Sequence, residues 1–375
     1  MKIVTIIGAR PQFIKAAPFS RFLRNNYLSK IEEVLVHTGQ HYDTNMSDVF
    51  FSELEIPLPK YNLGIGSGEH GYQTGKMLME IERVLLEEKS DLVIVYGDTN
   101  STIAGSLAAS KIHIPVAHIE AGLRSFNMLM PEELNRIVCD HISNFCFCPT
   151  ETAVENLKKE GIFDGKNLKT SNGKPIVVRN TGDIMFDAIL YNKGLSEKKS
   201  VILSELDLKP KTYVLATVHR AENTDNVLRM KNIFDGFSKI PIDVILTLHP
   251  RTKKYIKEYN ISIPHNVKII DPVGYLDMIA LQTNASVIMT DSGGVQKEAF
   301  FLRVPCITLR DETEWVETLK DGWNTLAQVD NDDIADIFRN VYGTDFKQRN
   351  QGNYFGDGES VSKIVSCIIE NERFN

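Results

Sequence analysis

Short apolar runs alternate with amphipathic stretches through almost all of this chain, and no other feature restricts its fold as much. In the first half, the apolar runs are KIVTIIG, EVLVH, DLVIVYG, PVAHIE and NFCFC. In the second half, they are TYVLATVH, IDVILTLH, VKII, SVIMT and VPCITLR. This alternation of strand-length runs with helical patterns is typical of parallel βαβ units. We therefore predict an α/β protein with two separate parallel sheets and a cleft between them.

The segment 163–183, FDGKNLKTSNGKPIVVRNTGD, interrupts this alternation because it is polar and contains glycine. A chain of 375 residues is also longer than one ordinary hydrophobic core and fits two domains. We place the connection in this segment and predict an N-terminal domain over 1–178 and a C-terminal domain over 179–357. The remaining stretch, 358–375, has the pattern of an amphipathic helix.

Composition and charge exclude several classes of protein. The chain carries 42 Lys and Arg against 49 Asp and Glu, a net charge of −7, without a basic stripe, which argues against nucleic acid as a partner. The first apolar run ends at Gly8, too early for a signal peptide or a membrane span, so we expect a cytoplasmic protein that does not bind membranes. The five cysteines lack the CxxC spacing of zinc sites, so we expect buried thiols and no metal.

Basic residues follow the first apolar run at the predicted start of a helix. The motif GARPQFIK places Arg10 at the turn and Lys15 about one helical turn further on. A helix N-terminus with two cations nearby suits an anion such as phosphate. A surface turn with solvated charges explains the same residues equally well, so both interpretations stay open at this point.

A second candidate phosphate site follows the apolar run SVIMT. There, Ser292, Gly293 and Gly294 come where backbone N–H groups open a helix, and glycine leaves room for a phosphate. Glu298 lies one to two turns into that helix, where its carboxylate can accept hydrogen bonds from ribose hydroxyls. Together these residues indicate a nucleotide diphosphate site, although an ordinary tight turn can have the same composition.

Carboxylates follow two successive apolar runs of the first half. Asp98 comes after DLVIVYG and Glu120 after PVAHI, at strand ends where a structural role requires no charge. A further pair, Glu132 and Glu133, lies in MPEELNR. Asp98 is also suited to cap the next helix, and Glu132 and Glu133 to stabilise a helix start after proline. Glu120 differs because it follows a strand directly and a short AGLR loop comes next.

Histidines also stand at strand ends. His219 ends TYVLATVH and precedes RAEN, so we favour a catalytic role for it over the usual core histidine bonded to a carbonyl. The run IDVILTLH ends in His249, with Arg251 two residues later, and we add both to the nucleotide site. Three other histidines are assigned only to the lining of the predicted cleft: His37, His41 and His118.

Nine motifs, in one order along the chain, resemble those of the non-hydrolysing UDP-N-acetylglucosamine 2-epimerases. They extend from Gly8 to Glu317 and are GARPQFIK, HTGQH, YGDTNSTIAG, HIEAGLRS, MPEELNR, TVHRAEN, DPVGYL, TDSGGVQKEA and RDETEWVE. The resemblance covers nearly the whole chain. It implies a fold of the glycosyltransferase-B type, in which two Rossmann-like domains face a deep cleft and a C-terminal helix crosses back to the first domain.

The same resemblance implies a reaction that uses no metal and no nicotinamide. In this family, UDP leaves the sugar together with the C2 proton, a glycal forms, and UDP adds again after C2 is reprotonated on the opposite face. Because one proton leaves one face and another arrives at the other, two acid/base groups must bracket C2. We therefore expect an isomerase without a cofactor that acts on a UDP-sugar for the synthesis of surface polysaccharide precursors.

The resemblance also implies a role for individual residues of this chain. The implied catalytic set is Asp98, Glu120, Glu132 and His219. Arg10 and Lys15 are implied to lie near the diphosphate, and the backbone after Gly274 and Tyr275 to meet uracil. The complete set implied to bind the UDP-sugar is Arg10, Lys15, His249, Arg251, Gly274, Tyr275, Ser292, Gly293, Gly294, Glu298, Arg310 and Asp311. Which carboxylate serves which face of C2 stays open.

Two departures from the family pattern bear on the substrate. Many members have GTRPE where this chain has Ala9 and Gln12, and ERPE where it has EWVE at 314–317. These variants resemble a branch that acts on UDP-2,3-diacetamido-2,3-dideoxyglucuronic acid, so this sugar and UDP-N-acetylglucosamine both stay open as substrates. The alternatives are a hydrolysing 2-epimerase, which lacks RPxxIK, a glycosyltransferase of the same fold and a non-catalytic nucleotide-sugar sensor. The resemblance further implies a homodimer.

Overall fold

A computed structural model describes residues 1–39, 54–170 and 173–371. Contacts divide the chain into two compact units. The first contains Met1–Ala188 together with Asn353–Asn375, and the second contains Ile189–Gly352. Each unit has its own sheet and its own hydrophobic core, so each is described by itself.

The strands and α-helices of the described residues follow the predicted alternation. In chain order, the strands are β1 (Lys2–Ile7), β2 (Glu32–His37), β3 (Tyr61–Asn62), β4 (Leu92–Tyr96), β5 (Val116–Ile119), β6 (Phe145–Cys148), β7 (Gly165–Lys169), β8 (Pro175–Asn180), β9 (Tyr213–Thr217), β10 (Asp243–Thr247), β11 (Val267–Ile270), β12 (Val287–Thr290), β13 (Cys306–Thr308) and β14 (Asn324–Leu326). The helices are α1 (Arg10–Asn26), α2 (His70–Glu88), α3 (Asn100–Lys111), α4 (Pro131–Ile142), α5 (Glu151–Lys159), α6 (Ile184–Lys199), α7 (Ile202–Glu205), α8 (Ala221–Thr224), α9 (Val227–Ser238), α10 (Pro250–Glu258), α11 (Tyr275–Asn284), α12 (Gly293–Phe301), α13 (Val316–Leu319), α14 (Ile334–Tyr342) and α15 (Ser360–Asn371).

The two sheets repeat one strand order. The first runs β3-β2-β1-β4-β5-β6-β8-β7 and the second β11-β10-β9-β12-β13-β14. All pairs are parallel except β7 with β8, which is antiparallel. The order reverses between β1 and β4 in the first sheet and between β9 and β12 in the second, which is where doubly wound sheets bind ligands. The prediction of an α/β protein with two Rossmann-like domains of the glycosyltransferase-B type is confirmed.

One side of the first sheet packs against α2 and α3. Alternate residues of β1 and β4 enter this core, because successive side chains of a strand point to opposite faces. Helix α3 lies very close to the sheet at Gly105, where an added Cβ would come within 2.9 Å of Ile6 Cδ1 and 3.1 Å of Val95 Cγ1. The small residue at 105 therefore lets α3, which begins two residues after Asp98, pack closely on the sheet.

The second sheet has a separate core of aliphatic and aromatic side chains. Met230, Ile233 and Phe237 of α9, with Phe338 of α14, pack on residues of β9, β10 and β12. Each large apolar side chain buried in this way contributes about 1.5–3 kcal/mol. These contacts hold one face of the sheet in place, and the loops begin at the carboxyl ends of its strands.

The division between the units lies later than the predicted boundary between 178 and 179. Strand β8 continues the first sheet to Asn180, and the N–H of Asp183 donates to the carbonyl of Phe355 at 2.9 Å. The terminal helix α15 contacts α1 and belongs to the first unit. Residues 179–188 and 353–357 therefore belong to the first unit because sheet and helix contacts hold them there. None of the described helices combines the length and hydropathy of a membrane span.

Candidate functional site

The end of the first sheet holds a buried pair of opposite charges. Lys15, from the second turn of α1, forms an ion pair with Glu120, which directly follows β5. Both side chains are less than a tenth exposed. The ammonium group of Lys15, which was predicted to lie near a diphosphate, contacts the carboxylate of Glu120. Gly97 lies against the pair, since a Cβ there would be 3.2 Å from Glu120 Oε2 and 3.4 Å from Lys15 Nζ.

Asp98 lies beside this pair, at the point where the strand order reverses. Its carboxylate contacts Arg136 of α4, and its backbone carbonyl accepts a hydrogen bond of 2.9 Å from Asn135 Nδ2. Burial raises the pKa of the Asp98 carboxyl above its ordinary value; the charge of Arg136 opposes this rise and nearby Glu120 adds to it. A carboxyl whose pKa is raised in this way is suited to general acid/base catalysis.

The turn that carries Glu120 has an unfavourable backbone conformation. Glu120 has a φ of 76° and Gly122 a φ of 82°. A positive φ in a residue other than glycine costs on the order of 1 kcal/mol and occurs preferentially at functional sites. The turn is held because the N–H groups of Glu120 and Ala121 both donate to the carbonyl of Phe147 of β6, at 3.0 and 3.1 Å. The position of the Glu120 carboxylate is therefore imposed by the surrounding structure.

The two adjacent glutamates at the start of α4 have different environments. Glu133 is fully buried, and its carboxylate accepts hydrogen bonds of 2.9 Å from the N–H groups of Ser125 and Phe126 and contacts Arg136 at 3.1 Å. Glu132 is exposed on the first turn of the helix. Glu133 thus orders the preceding loop, whereas Glu132 is the member of the pair that a ligand can reach.

Gln12 connects the loops after β1 and β4, a role that the sequence did not reveal. Its Oε1 accepts from the N–H groups of Gly8 at 2.8 Å and Ala9 at 3.0 Å, and its Nε2 donates to the carbonyl of Tyr96 at 2.8 Å. A glutamate, common in the family at this position, would lack the N–H donor. Gln12, where many family members have glutamate, therefore supplies the donor that the carbonyl of Tyr96 accepts. Arg10 lies two residues before it, half-buried at the first position of α1.

The histidines assigned to the lining of a cleft do not lie on a surface. His37 is 2 % exposed and His118 is fully buried. The ring of His37 packs against Phe13 with centroids 5.1 Å apart. This assignment is wrong for both residues, because each belongs to the packed end of the sheet. His41 lies outside the described residues.

In the second unit, the strand ends at the reversal point surround Asp291. Its buried carboxylate accepts from the N–H groups of His219 and Arg220, both at 3.0 Å. The His219 ring remains about a third exposed, with its centroid 5.3 Å from the centroid of His249. Nδ1 of His249 in turn accepts from the N–H of Arg251 at 3.1 Å. Burial lowers the pKa of His249, and the charges of His219 and Arg251 lower it further.

Helix α12 begins directly after this turn, as the sequence predicted. Ser292 is its N-cap residue, with Oγ 3.4 Å from the N–H of Val295. The first two residues of the helix are Gly293 and Gly294, and a Cβ on Gly294 would meet only Ser292 Oγ, at 3.8 Å. The space in front of the helix N-terminus is thus open at Gly294. Such an N-terminus attracts anions through its unpaired N–H groups and the helix dipole.

Gly293 faces a cluster of three charged side chains. A Cβ at this position would lie 2.7 Å from Glu314 Oε1. Glu314 contacts Arg310 at 2.9 Å and Arg220 at 3.7 Å. Burial alone would raise the pKa of Glu314, but the two arginines outweigh it and the pKa is lowered. Arg310, predicted to bind the UDP-sugar, is therefore held beside the start of α12 by an ionised carboxylate.

The remaining predicted binding residues are held by internal contacts. Glu298 is buried and accepts from Tyr275 Oη at 3.2 Å and from Gln282 Nε2 at 2.6 Å. Tyr275 is the first residue of α11 and Gly274 is its N-cap.

Two predicted binding residues form ion pairs within the second unit. Arg251 contacts Asp225 at 2.5 Å, and Asp311 contacts Arg229 at 3.2 Å. The structure therefore brings most of the second-unit residues to the strand ends, but it gives Arg251 and Asp311 protein partners. Among the described residues, no group of three or more His, Cys, Asp or Glu side chains could hold a metal ion.

Comparison with known proteins identifies the family to which this chain is similar. The family model described as UDP-N-acetylglucosamine 2-epimerase matches residues 24–369. A protein of Methanococcus maripaludis named UDP-N-acetylglucosamine 2-epimerase homolog is 53% identical over 98% of this chain and 99% of its own length. The UDP-2,3-diacetamido-2,3-dideoxy-D-glucuronate 2-epimerase of Pseudomonas aeruginosa is 48% identical over 99% of this chain and 100% of its own.

Solved structures agree with these relatives. The UDP-GlcNAc 2-epimerase of Methanocaldococcus jannaschii, in complex with UDP-GlcNAc and UDP, superposes with a TM-score of 0.87. It is 46% identical, and the match covers 99% of this chain and 100% of that one. The UDP-GlcNAc 2-epimerase of Neisseria meningitidis bound to UDP-GlcNAc has a TM-score of 0.86 at 31% identity, over 99% and 100% of the two chains.

Proposed function

Because the chain belongs to the UDP-N-acetylglucosamine 2-epimerase family, whose members are isomerases, we propose that it inverts C2 of a UDP-sugar. The substrate is UDP-N-acetylglucosamine or UDP-2,3-diacetamido-2,3-dideoxyglucuronic acid, and the product enters the synthesis of surface polysaccharides. One observation carries this proposal above the others: Asp98 and Glu120 lie beside each other at the ends of adjacent strands, with Lys15 and Arg136 as counter-charges.

The charges at these strand ends suit the two proton transfers of the reaction. Glu120, paired with the ammonium group of Lys15, removes the C2 proton as the bond from C1 to UDP breaks. Burial raises the pKa of Asp98, so this carboxyl is suited to deliver a proton to C2 of the glycal. UDP then adds again at C1. In the reverse direction, the two carboxyl groups exchange roles.

The second unit supplies the UDP site in this proposal. The N-terminus of α12 at Gly293 and Gly294 receives the diphosphate, supported by the cation Arg310. Glu298 accepts hydrogen bonds from the ribose, and the backbone at Gly274 and Tyr275 meets uracil. His219, with its ring exposed at the end of β9, acts on the departing UDP, and Glu132 acts on the sugar from the start of α4.

Incubation in D2O tests the reaction and the sugar together. The protein is incubated separately with each of the two UDP-sugars, and C2 is followed by NMR. The expected result is a 2-epimer that carries deuterium at C2 for one of the sugars. A product without deuterium at C2 would contradict the proposed proton transfers. Release of free sugar would identify a hydrolysing enzyme, and a requirement for an acceptor would identify a glycosyltransferase.

We further propose that the protein acts as a homodimer in the cytoplasm. The loop before α4 and the outer face of α4 expose five large apolar side chains, which favours a second copy as the covering surface: Phe126, Met128, Leu129, Leu134 and Val138. The five cysteines are free and buried, which suits a reducing compartment. Light scattering after size-exclusion chromatography tests the dimer, and Leu129→Asp with Leu134→Asp is expected to yield a monomer.

A further inference from the structure

Helix α4 contacts the loops that carry both candidate catalytic carboxylates. Asn135 and Arg136 reach the backbone and side chain of Asp98, as described above. One turn further along the same face, Asp140 is fully buried and does not contact a carboxylate of the site directly. Because it lies four residues after Arg136, it shares the face of α4 that carries Arg136.

Asp140 contacts two segments at once. Its Oδ1 lies 2.8 Å from Nδ1 of His118, and its Oδ2 accepts from the N–H of Gly122 at 3.1 Å and from Arg124 Nη1 at 2.7 Å. On the far side of the His118 ring, Nε2 lies 2.7 Å from the carbonyl of Gly97. One carboxylate is thereby connected to the residue that precedes Asp98 and to the residue two positions after Glu120.

We propose that Asp140 is a positioning residue for the epimerase reaction, which sets Asp98 through His118 and Gly97 and sets Glu120 through Gly122. This inference rests on the proposed function for its catalytic consequence. Asp140 touches no reacting atom, so it acts only through the two turns that it connects.

The conformation of the second turn explains why it needs such a support. Glu120 and Gly122 both have positive φ values, 76° and 82°, and glycine is required at 122 because a Cβ would lie 2.3 Å from the carbonyl oxygen of Ala153. A backbone conformation with an unfavourable φ persists only where contacts with the surrounding structure hold it. The hydrogen bond from Gly122 to Asp140 is one of those determinants.

The charge on Asp140 is maintained despite its burial. Burial alone would raise the pKa of this carboxyl, but the hydrogen bond from His118 and the charge of Arg124 outweigh it and lower the pKa. Arg124 is itself held by Glu160 through contacts of 2.6 and 2.7 Å. Replacing buried ionic groups by apolar ones often stabilises a protein, so a buried ionic cluster next to a strained turn points to a need for defined geometry.

Alanine and asparagine at position 140 separate geometry from charge. Asp140→Ala removes every contact, and we expect kcat to fall about 100-fold with little change in KM, since small displacements of catalytic groups have effects of this size. In Asp140→Asn, the amide oxygen can accept from Gly122 and Arg124 while its NH2 group donates to Nδ1 of a His118 protonated at Nε2. We therefore expect Asp140→Asn to retain kcat within about tenfold of wild type. An asparagine variant as impaired as the alanine variant would overturn the proposal.

A matched control is available within the same unit. Asp187 also accepts two backbone hydrogen bonds, from the N–H groups of Ser360 at 3.1 Å and Val361 at 2.9 Å, and it plays no part in the site. Asp187→Ala therefore measures the general cost of removing a capping carboxylate. We expect its kcat to equal that of the wild type. An equal loss of kcat in both alanine variants would overturn a specific role of Asp140.

Amide hydrogen exchange, followed by mass spectrometry, provides a readout that does not depend on the substrate. In Asp140→Ala, peptides that cover 97–100 and 120–124 should exchange faster, while in Asp187→Ala the increase should be confined to the region of 360. Unchanged exchange in both peptides overturns the proposal even if the variant is inactive. If wild type epimerises neither UDP-sugar, the proposed function fails, whereas the exchange pattern still decides whether Asp140 holds the two turns.

A second variant covers the case in which Asp140→Ala does not fold. His118→Ala removes the route from Asp140 through the imidazole ring to Gly97, and we expect the separate bond between Asp140 and Gly122 to stay in place. Exchange should then increase at 97–100 and stay unchanged at 120–124, and kcat should fall about tenfold. Equal increases in both peptides would contradict two separate connections.

Discussion

The carboxyl ends of the two sheets have the same strand order but present opposite chemistry. In the first unit, the reversal point is occupied by the partly exposed Asp98 beside Arg136 and by the buried Glu120 beside Lys15. In the second unit, it carries an open helix N-terminus at Gly294 with arginine side chains nearby. In the proposed function, one topology thus serves proton transfer in the first unit and anion binding in the second, because function depends on the residues that follow the strands.

The largest effect, a loss of kcat, is expected for replacement of the Glu120 carboxylate in the first unit. Glu120→Gln keeps the size of the side chain but removes its basicity, so kcat should fall about 1000-fold, within the range of general base catalysis. UDP binding, assigned to the second unit, should stay unchanged by calorimetry. Glu88→Gln is the control, because Glu88 is also buried and paired with lysines, at the far end of α2. A loss of UDP affinity in Glu120→Gln would contradict the assignment of catalysis to the first unit and of UDP binding to the second.

Helix α3, which begins two residues after Asp98, packs closely on the first sheet at Gly105. Gly105→Ala places a Cβ within 2.9 Å of Ile6 Cδ1, and we expect the free energy of unfolding to fall by about 2 kcal/mol. Gly75→Ala, in α2, meets no atom within 4 Å and should raise it by about 0.5–1 kcal/mol. Urea denaturation of both variants measures the difference. Equal changes would show that α3 is not held as tightly as the contacts indicate.

A smaller effect is expected at the anion site of the second unit. In Gly293→Ala, the new Cβ would lie 2.7 Å from Glu314 Oε1, so the start of α12 or the Glu314 side chain must move. We expect the Kd for UDP to rise about tenfold, which corresponds to about 1.4 kcal/mol. Calorimetric titration with UDP measures this change. Gly194→Ala, with open space around its Cβ, is the control and should leave the Kd unaltered.

The smallest expected effect is on the free energy of unfolding, through the ionisation of Asp98 in the first unit. The pKa of Asp98 is raised, so folding favours its protonated form, and its contribution to stability is lost as pH rises through the folded value. Asp98→Asn does not ionise and should therefore be more stable than wild type at pH 7, with a smaller advantage at pH 4. Chemical denaturation at both pH values tests this. A variant that is less stable at pH 7 would indicate that the contact with Arg136 dominates.

Local patterns predicted the elements of the fold and the positions of several site residues. Apolar runs marked β1, β4 and β5, and the residues that follow them include Asp98 and Glu120, at the strand ends that were expected. Helix α12 begins at Gly293, where the sequence indicated. The short strands β3 and β14 were not predicted because two or three residues carry too little periodicity.

By itself, the sequence determined the α/β alternation, the two sheets and the kind of side chain that follows each strand, because periodicity and strand length are properties of neighbouring residues. Only the tertiary structure decided which of these side chains meet. It paired Lys15 with Glu120, 105 positions apart, and buried His118 beneath Gly97. It also showed that Asp140 joins the loops of two carboxylates. Such contacts depend on strand order and on the packing of α4, which no local pattern encodes.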